Sequence, residues 1–451
     1  MVNNRPIVDN RLAHMDQVSF LGVRALGYGT LAQVVWIYHR KVDIEGLRRF
    51  HRNLGHGLLG RRIERSPLPF ARDRWVHSPG PDDIETAQKP RPREEVNAWA
   101  YERACLPVDP EFGPGWHLGV LPLQDGGTAI SLVASHTLVD GLGLVEVIAD
   151  AAKGKTRDLG YPQPGSRTRR RAVLEDARQT LASAPELAQA LAAGLRLARK
   201  GREEFASSIA GAPPGPRTAR DDQPVVVPTL VAYVDLAQWD ECAARLGGTS
   251  NSLFAGFAAK LGARMGRHAD DGTVALAFPV GQRTAEDTRG NAMTFANITV
   301  DPARAASDLS EIRGKLKLAL TERAAHDYEL LAPLPLAAMT PKWAARKLVG
   351  VGLGASALPV GCSNLGPLDP AVIRPDGSDA DYAYGRLIEP GISKRALDGM
   401  GGQLFVASGR IPGKVFISVV AYRPGQHNSA EALRNFVSHT LAEFGLEAEI
   451  T

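Results

Sequence analysis

The sequence predicts an α/β protein made of two similar lobes. Three observations support this fold class. Both halves of the chain mix strand-like and helix-like segments, and the 451 residues exceed one ordinary domain. In addition, loops at 154–172 and 211–228 enclose an Ala/Leu/Arg-rich helical stretch. We expect a first lobe at 1–172, a helical bridge and linker at 173–220, and a second lobe at 221–451.

Hydrophobic periodicity and turn residues predict the elements of each lobe. Residues 17–48 read as strand-like material around a β-rich run at 34–38, followed by a helix capped by Asp43. The other elements predicted for the first half are strands at 72–78, 116–123 and 128–135 and helices at 94–104 and 141–153, followed by one or two bridge helices at 173–209. Those of the second half are strands at 225–235, 274–280 (buried) and 415–422, and helices at 251–267, 309–325 and 430–445.

The composition indicates an ordinary globular protein. Hydrophobic residues make up 44% and charged residues 23%, which excludes a largely disordered, collagen-like or small disulfide-stapled chain. A net charge of +4 is too weak to indicate a nucleic-acid partner. Three scattered cysteines, no signal-like start and no stretch of ~20 apolar residues predict a cytoplasmic protein, with peripheral membrane contact left open.

The segment 130–141, Ile-Ser-Leu-Val-Ala-Ser-His-Thr-Leu-Val-Asp-Gly, is the most informative part of the chain. A predicted strand ends at His136, and four residues later Asp140 and Gly141 open a predicted helix. Histidine titrates near neutral pH and so suits general-base catalysis, while an aspartate before glycine can fix a tight turn. A strand-end histidine can also be a core residue with satisfied hydrogen bonds, so the pattern alone leaves both interpretations open.

This segment resembles the His-His-x-x-x-Asp-Gly motif of the chloramphenicol-acetyltransferase-like acyltransferases. That superfamily includes peptide-synthetase condensation domains and the wax ester synthase/diacylglycerol acyltransferase family. His136 matches the second, catalytic histidine of the motif, and Ser135 stands in place of the first. In the family that first position mainly supports the loop.

The resemblance extends over about residues 12–445 and is closest to the wax ester synthase branch. Short elements that are similar to the family occur in the family's order, at 12–20, 42–47, 60–63, 106–116, 250–254, 278–283, 290–291 and 361–367. The last resembles Ser-Asn-x-Pro-Gly-Pro without its first proline. The order of the elements carries the resemblance, because each one is weak alone.

The resemblance implies two chloramphenicol-acetyltransferase-like lobes that form a pseudo-dimer, with an active-site tunnel between them. It implies that His136 takes a proton from an acceptor hydroxyl or amine, which attacks an acyl thioester so that a thiol leaves without an acyl-enzyme. Asp140 is implied to point away from the reacting atoms and to pair with Arg283, supporting the loop together with Gly141.

A tetrahedral intermediate needs an oxyanion donor. Asn297, Ser363 and Asn364 are candidates for this or for orienting the substrate, because they lie in or beside matched elements, and the backbone N–H of Gly141 is another. For each side chain the alternative is a turn-capping role.

The resemblance implies no metal and no tightly bound cofactor. The co-substrate is expected to be a thioester of coenzyme A or of a carrier protein's phosphopantetheine, and the acceptor a small molecule or lipid. Two alternatives stay open: a stand-alone condensation-type amide synthase with a carrier-protein donor, and a non-catalytic condensation-like binding module. A monomer and a dimer are both compatible with the sequence.

Two groups of basic residues are interpreted as surface features. His51 and His56 are predicted to lie on an exposed helix face rather than in a metal site. A basic set is predicted to be solvated, with a dock for coenzyme A phosphates, an acidic carrier protein or anionic lipid as the alternative. This set comprises the run 167–171 with Arg196, Arg199, Lys200 and Arg202.

Overall fold

The computed structural model describes residues 9–208, 223–321, 331–345 and 358–451. Its first half contains six helices and six strands among these residues: α1 His14–Leu26, β1 Leu31–Tyr38, α2 Ile44–Leu54, β2 Arg61–Glu64, β3 Arg74–His77, β4 Glu85–Thr86, α3 Val96–Ala104, β5 Trp116–Pro122, β6 Thr128–Ser135, α4 Gly141–Ala152, α5 Arg169–Ala182 and α6 Ala184–Ser208. Asp43 caps α2 as predicted, because its side chain accepts a hydrogen bond from the Glu45 backbone N–H.

The second half continues the alternation of strands and helices. Its elements are β7 Thr229–Asp235, α7 Leu236–Arg245, α8 Ser250–Arg264, β8 Val274–Gly281, β9 Met293–Val300, α9 Ser310–Thr321, β10 Val360–Pro367, β11 Tyr382–Ile388, α10 Lys394–Gly399, β12 Gln403–Ile411, β13 Lys414–Tyr422, α11 Ala430–Glu443 and β14 Ala448–Ile450. The end of the predicted helix at 309–325 and most of the predicted connector at 211–228 lie outside the described residues.

The strands form two large sheets, each backed by helices, as the predicted fold class requires. One sheet has the order β11-β1-β6-β5-β4, and the other has the order β14-β7-β13-β12-β10-β8-β9. Strand β11 comes from the second half of the chain but pairs antiparallel with β1 of the first. The lobe boundaries at 172 and 221 stay predictions, since 209–222 lie outside the described residues.

Three local predictions are wrong. Residues 17–26 belong to helix α1 rather than to strand-like material; the helix closes at Gly27, whose φ of 83° is a left-handed conformation that glycine adopts readily. The predicted loop at 154–172 ends early, because α5 begins at Arg169. Strand β8 is not buried throughout, since its residues from Ala277 to Gly281 line a cavity.

The histidine and basic-run interpretations also change. His51 is buried, with its ring 5.2 Å from that of Trp116, so it is not on an exposed face. Arg167 is mostly buried and donates to Asp176, while Arg171 donates to Glu175. Arg196 and Arg199 are exposed, whereas the side chains of Lys200 and Arg202 lie outside the described ones.

Asp176 joins helix α5, in the region predicted to be a bridge, to strand β3. Its carboxylate, 1% exposed, accepts hydrogen bonds from Arg74 of β3 at 2.9 and 3.1 Å and from Arg167 at 2.9 Å. Removing one partner of a buried ion pair is costly, because the remaining charge has no counterpart. We expect Asp176→Ala to lower the free energy of unfolding by about 3 kcal/mol.

Urea denaturation measures this effect, and Glu175→Ala is the matched control. Glu175 is the neighbouring acid on the same helix, and its pair with the exposed Arg171 is worth about 0.5 kcal/mol. Equal unfolding free energies for the two variants would show that Asp176 does not anchor α5.

Candidate active site

A cavity of about 710 Å³ lies between the two large sheets. Its walls come from α1, β1, the start of α4, and strands β8 to β12, and most of the lining side chains are apolar. A concave, apolar cavity with a few polar groups is the usual form of a small-molecule site. His136, Asp140, Gly141, Ser363 and Asn364 all border it, so the fold brings together most of the residues that the sequence singles out.

His136 lies directly after β6, and its backbone is held from both sides. Its N–H donates to the Thr30 carbonyl at 3.0 Å, and its carbonyl accepts from Asn291 Nδ2 at 3.2 Å. Burial lowers the pKa of His136 below its ordinary 6.5, and the nearby charge of Asp140 acts in the opposite direction. The imidazole is therefore neutral at pH 7, the form that a general base requires.

Asp140 borders the cavity and organises the start of α4. Its Oδ1 accepts from the Gly143 N–H at 2.7 Å, which makes it the N-cap of the helix. Its Oδ2 accepts from Arg283 Nη2 at 2.9 Å and from the Ala292 N–H at 2.8 Å. The Asp140–Arg283 pair is present as the resemblance implies, and both side chains are 6% exposed.

Arg283 ties this helix start to the loop before β9. Its Nη1 donates to the Arg289 carbonyl at 3.0 Å and its Nη2 donates to the Gly290 carbonyl at 2.9 Å. The guanidinium packs directly on Gly143, where an added Cβ would lie 2.9 Å from Arg283 Cζ. A side chain at position 143 would require the guanidinium to shift, so glycine at this position suits the geometry of the Asp140–Arg283 pair.

Asp16 and Asn291 are supporting residues to which sequence reasoning assigned no role. Asp16, on α1, is fully buried and accepts from the N–H groups of Gly290 at 2.9 Å and Asn291 at 2.7 Å. The Asn291 side chain also donates to the His136 carbonyl. Burial raises the pKa of Asp16. Asp16 and Asn291 both lie inside elements that resemble the family, and this resemblance is the sequence signal that could have identified them.

Arg61 holds the loop between His136 and Asp140. Its guanidinium is buried, lies 3.9 Å from the centre of the Trp75 ring and donates from Nη2 to the Leu138 carbonyl at 2.8 Å. Burial lowers the pKa of Arg61. Arg61 also falls in a matched element, and it completes the set of buried groups that position the loop from His136 to Asp140.

Ser135, in place of the motif's first histidine, is buried in the same loop. Its Oγ accepts from the Thr137 N–H at 3.3 Å. The Thr137 hydroxyl in turn lies 2.9 Å from the Ser19 hydroxyl of α1. Ser135 thus forms a hydrogen bond within the same loop that the motif's first histidine supports in the family.

The three oxyanion candidates are placed differently. Asn364 lines the cavity, but its side chain accepts from the Gly366 N–H and donates to Asn251, as a turn-capping residue would. Ser363 lines the cavity, and its hydroxyl has no hydrogen-bond partner among the described residues. Asn297 is exposed on β9 and is not part of the cavity wall, so the fold does not bring it to His136.

The described residues contain no evident metal site. Within those ranges, no three His, Cys, Asp or Glu side chains come together as a metal-binding group. Cys105, Cys242 and Cys362 are free thiols, and burial raises the pKa of Cys362. None of the helices in the described ranges combines the length and hydropathy that a membrane span needs.

No protein-family model matches the chain, and no curated protein matches it by sequence. Solved structures do match over nearly its whole length. Polyketide synthase associated protein 5 from Mycobacterium tuberculosis is 16% identical, covers 97% of this chain and 98% of its own, and has a TM-score of 0.55. The wax ester synthase/diacylglycerol acyltransferase from Marinobacter aquaeolei VT8 is 14% identical, with 96% and 98% covered and a TM-score of 0.53.

A third structure is the first condensation domain of the calcium-dependent antibiotic synthetase in complex with a substrate analogue. It is 14% identical, covers 96% of each chain and has a TM-score of 0.58. At these identities the likeness concerns the fold. It confirms the predicted fold class: the chain has the two-lobed α/β fold shared by condensation domains and the wax ester synthase.

Proposed function

We propose that this chain is an acyltransferase in which His136 acts as general base. The observation that carries the proposal is the position of His136, in the wall of a large apolar cavity between two sheets, with its backbone held on both sides. Proteins of the same fold include a wax ester synthase/diacylglycerol acyltransferase. The acyl donor is a thioester of coenzyme A or of a carrier protein's phosphopantetheine.

The reaction follows from one proton transfer and one substitution. A hydroxyl or amine of the acceptor donates its proton to the neutral imidazole of His136 as its oxygen or nitrogen bonds to the thioester carbonyl carbon. The tetrahedral intermediate then collapses, the C–S bond breaks, and the thiolate leaves with a proton returned from His136. Positioning of both substrates and base catalysis supply the rate, and no acyl-enzyme forms.

The groups near His136 support this chemistry. The proposed oxyanion donors are the hydroxyl of Ser363, which has no partner in the part of the chain that the structure describes, and the backbone N–H of Gly141. Gly141 lies in the first turn of α4, where N–H groups lack helical partners. The apolar walls accept an acyl chain and exclude water, which limits hydrolysis of the thioester.

Release of thiol tests the proposal and identifies the donor. The protein is incubated with octanoyl-CoA or with an octanoyl carrier protein, each with a panel of primary alcohols and amines, and free thiol and product are both quantified. We expect acceptor-dependent thiol release in equal amount to an ester or amide. Turnover with the carrier-bound donor alone would favour the amide-synthase alternative, and no acceptor-dependent release with either donor would favour a binding module.

The pH dependence of the reaction follows from the lowered pKa of His136. A general base must be unprotonated, and burial lowers the pKa of His136 below its ordinary value of 6.5. We expect kcat/KM to stay level between pH 7 and pH 8 and to fall only on acidification, with a midpoint below 6.5. Rates measured from pH 5 to pH 8 check this, and a midpoint above 6.5 would contradict the buried-base assignment.

A further inference from the structure

Glu389 places a carboxyl group in the cavity wall without a positively charged partner. It directly follows β11, and its Oε1 accepts a hydrogen bond from the Thr30 hydroxyl at 2.8 Å. Its Oε2 has no hydrogen-bond partner among the described residues but is open to the cavity, since Glu389 is half-buried and borders it. Within the described ranges, no Lys, Arg or His pairs with this carboxyl group.

The register of the sheet places Glu389 in the same row as His136. In the order β11-β1-β6, Glu389, Thr30 and His136 each lie one position beyond the paired residues of their strands. Thr30 contacts both neighbours, because its hydroxyl donates to Glu389 and its carbonyl accepts from the His136 N–H. All three residues border the cavity. Neighbouring strands lie about 4.8 Å apart, so the backbones of Glu389 and His136 are separated by roughly 10 Å.

The cation nearest to Glu389 in the sequence, Arg386, lies on the opposite face of the sheet. Its Nε donates to Gln33 Oε1, and Gln33 in turn donates to the Ala100 carbonyl of α3, which packs behind the sheet. Side chains three residues apart on a strand point to opposite faces. Arg386 therefore does not neutralise Glu389, and the free oxygen of this carboxyl group is presented to a ligand in the cavity.

Tyr28 adds an aromatic group to this end of the cavity. It borders the cavity, and burial together with the nearby charge of Glu389 raises the pKa of Tyr28. Burial also raises the pKa of Glu389, because its charged form has no counter-ion. A bound ammonium group would supply that counter-ion, and an aromatic ring attracts an ammonium group as well.

We propose that Glu389 binds a positively charged amino group of a substrate, at a distance from the atom that His136 deprotonates. An ammonium group fits better than an uncharged one, because it balances the charge of a carboxylate in an apolar cavity. This amino group is not the nucleophile, since a protonated nitrogen has no free electron pair. The substrate class, an acceptor or acyl chain with a remote ammonium group, rests on the function proposed above, whereas the cation site itself does not.

Calorimetric titration with two probes of equal chain length tests the site without turnover. Hexylammonium and 1-hexanol differ in charge at one end and are compared at pH 7.5. We expect the wild-type protein to bind hexylammonium at least about tenfold more tightly than 1-hexanol, and Glu389→Gln to bind the two alike. Glu111→Gln is the matched control and should behave as wild type, because burial also raises the pKa of Glu111 but this residue does not border the cavity.

Each other outcome of the titration contradicts part of the account. Equal binding of the two probes by the wild-type protein would overturn the site, whether or not Glu389→Gln folds. Tighter binding of 1-hexanol would also overturn it, since Glu389 would then act as an uncharged hydrogen-bonding acid. Retained selectivity in folded Glu389→Gln would remove Glu389 from the site. Binding of hexylammonium as expected without acyl transfer would contradict the proposed function and leave the cation site standing.

Two arms of the transfer assay then identify the substrate that carries the charge. One compares 6-(dimethylamino)-1-hexanol with 1-hexanol as acceptor, because a tertiary amine is protonated at pH 7.5 and cannot form an amide. The other compares 8-aminooctanoyl with octanoyl thioesters as donor. A preference of about tenfold or more for the charged member of one pair, lost in Glu389→Gln, identifies the substrate. No preference in either arm would overturn the proposed substrate class.

Discussion

Replacing His136 with alanine is expected to lower kcat about a thousandfold while leaving the thermal unfolding midpoint within a few degrees of wild type. General-base catalysis contributes about 10²- to 10⁴-fold to a rate, and His136 is the one histidine among the described residues that line the cavity. The backbone bonds of residue 136 to Thr30 and Asn291 do not involve the imidazole, so they survive the substitution.

His117→Ala is the matched control for this experiment. His117, on β5, is another buried histidine of the same lobe, but it contacts Arg103 and does not line the cavity. Its replacement should leave kcat within about threefold of wild type. Near-normal turnover by folded His136→Ala would remove His136 from the mechanism.

Asp140→Ala is expected to be the most destabilising substitution in the site, with a loss of about 5 kcal/mol in the free energy of unfolding. The change removes a helix N-cap, leaves the Ala292 N–H without its acceptor and leaves Arg283 as a buried charge without a counter-ion. Urea denaturation and soluble yield measure the loss. We expect both to fall far more for Asp140→Ala than for His136→Ala.

Two further variants separate the contributions to this loss. Asp140→Asn keeps an oxygen that can accept from Gly143 but loses the charge, so an intermediate loss is expected. The double variant Asp140→Ala/Arg283→Met removes the stranded cation and should be more stable than Asp140→Ala alone. If the single variants at Asp140 and His136 unfolded at the same urea concentration, the Asp140–Arg283 pair would not be supporting the site.

The local part of the site could be predicted because it is contiguous in sequence. A strand, a histidine, an aspartate N-cap and a helix follow one another within 130–152, and each step has a recognisable residue pattern. The family resemblance added the Asp140–Arg283 pair, which joins positions 143 residues apart. No local pattern could have supplied that contact.

The parts that could not be predicted depend on distant contacts. Helix α1 was missed because Val18, Phe20 and Val23 are strand-forming residue types, and packing of this segment against the rest of the fold overrides their local preference. Its Asp16 binds Gly290 and Asn291 across some 275 positions of sequence. Likewise, the alternation of side-chain types along β11 does not predict that this strand pairs with β1 of the first half of the chain.

The position of a bound donor tests the central claim most directly. A crystal structure with 2-oxodecyl-CoA, a thioether that keeps the carbonyl but has no cleavable thioester, would locate the carbon that is attacked. We predict that its alkyl chain fills the cavity and that its carbonyl carbon lies within about 6 Å of a His136 ring nitrogen, which leaves room for one acceptor atom about 3 Å from each. A carbonyl bound outside the cavity, or at the end of it remote from His136, would contradict the proposed mechanism.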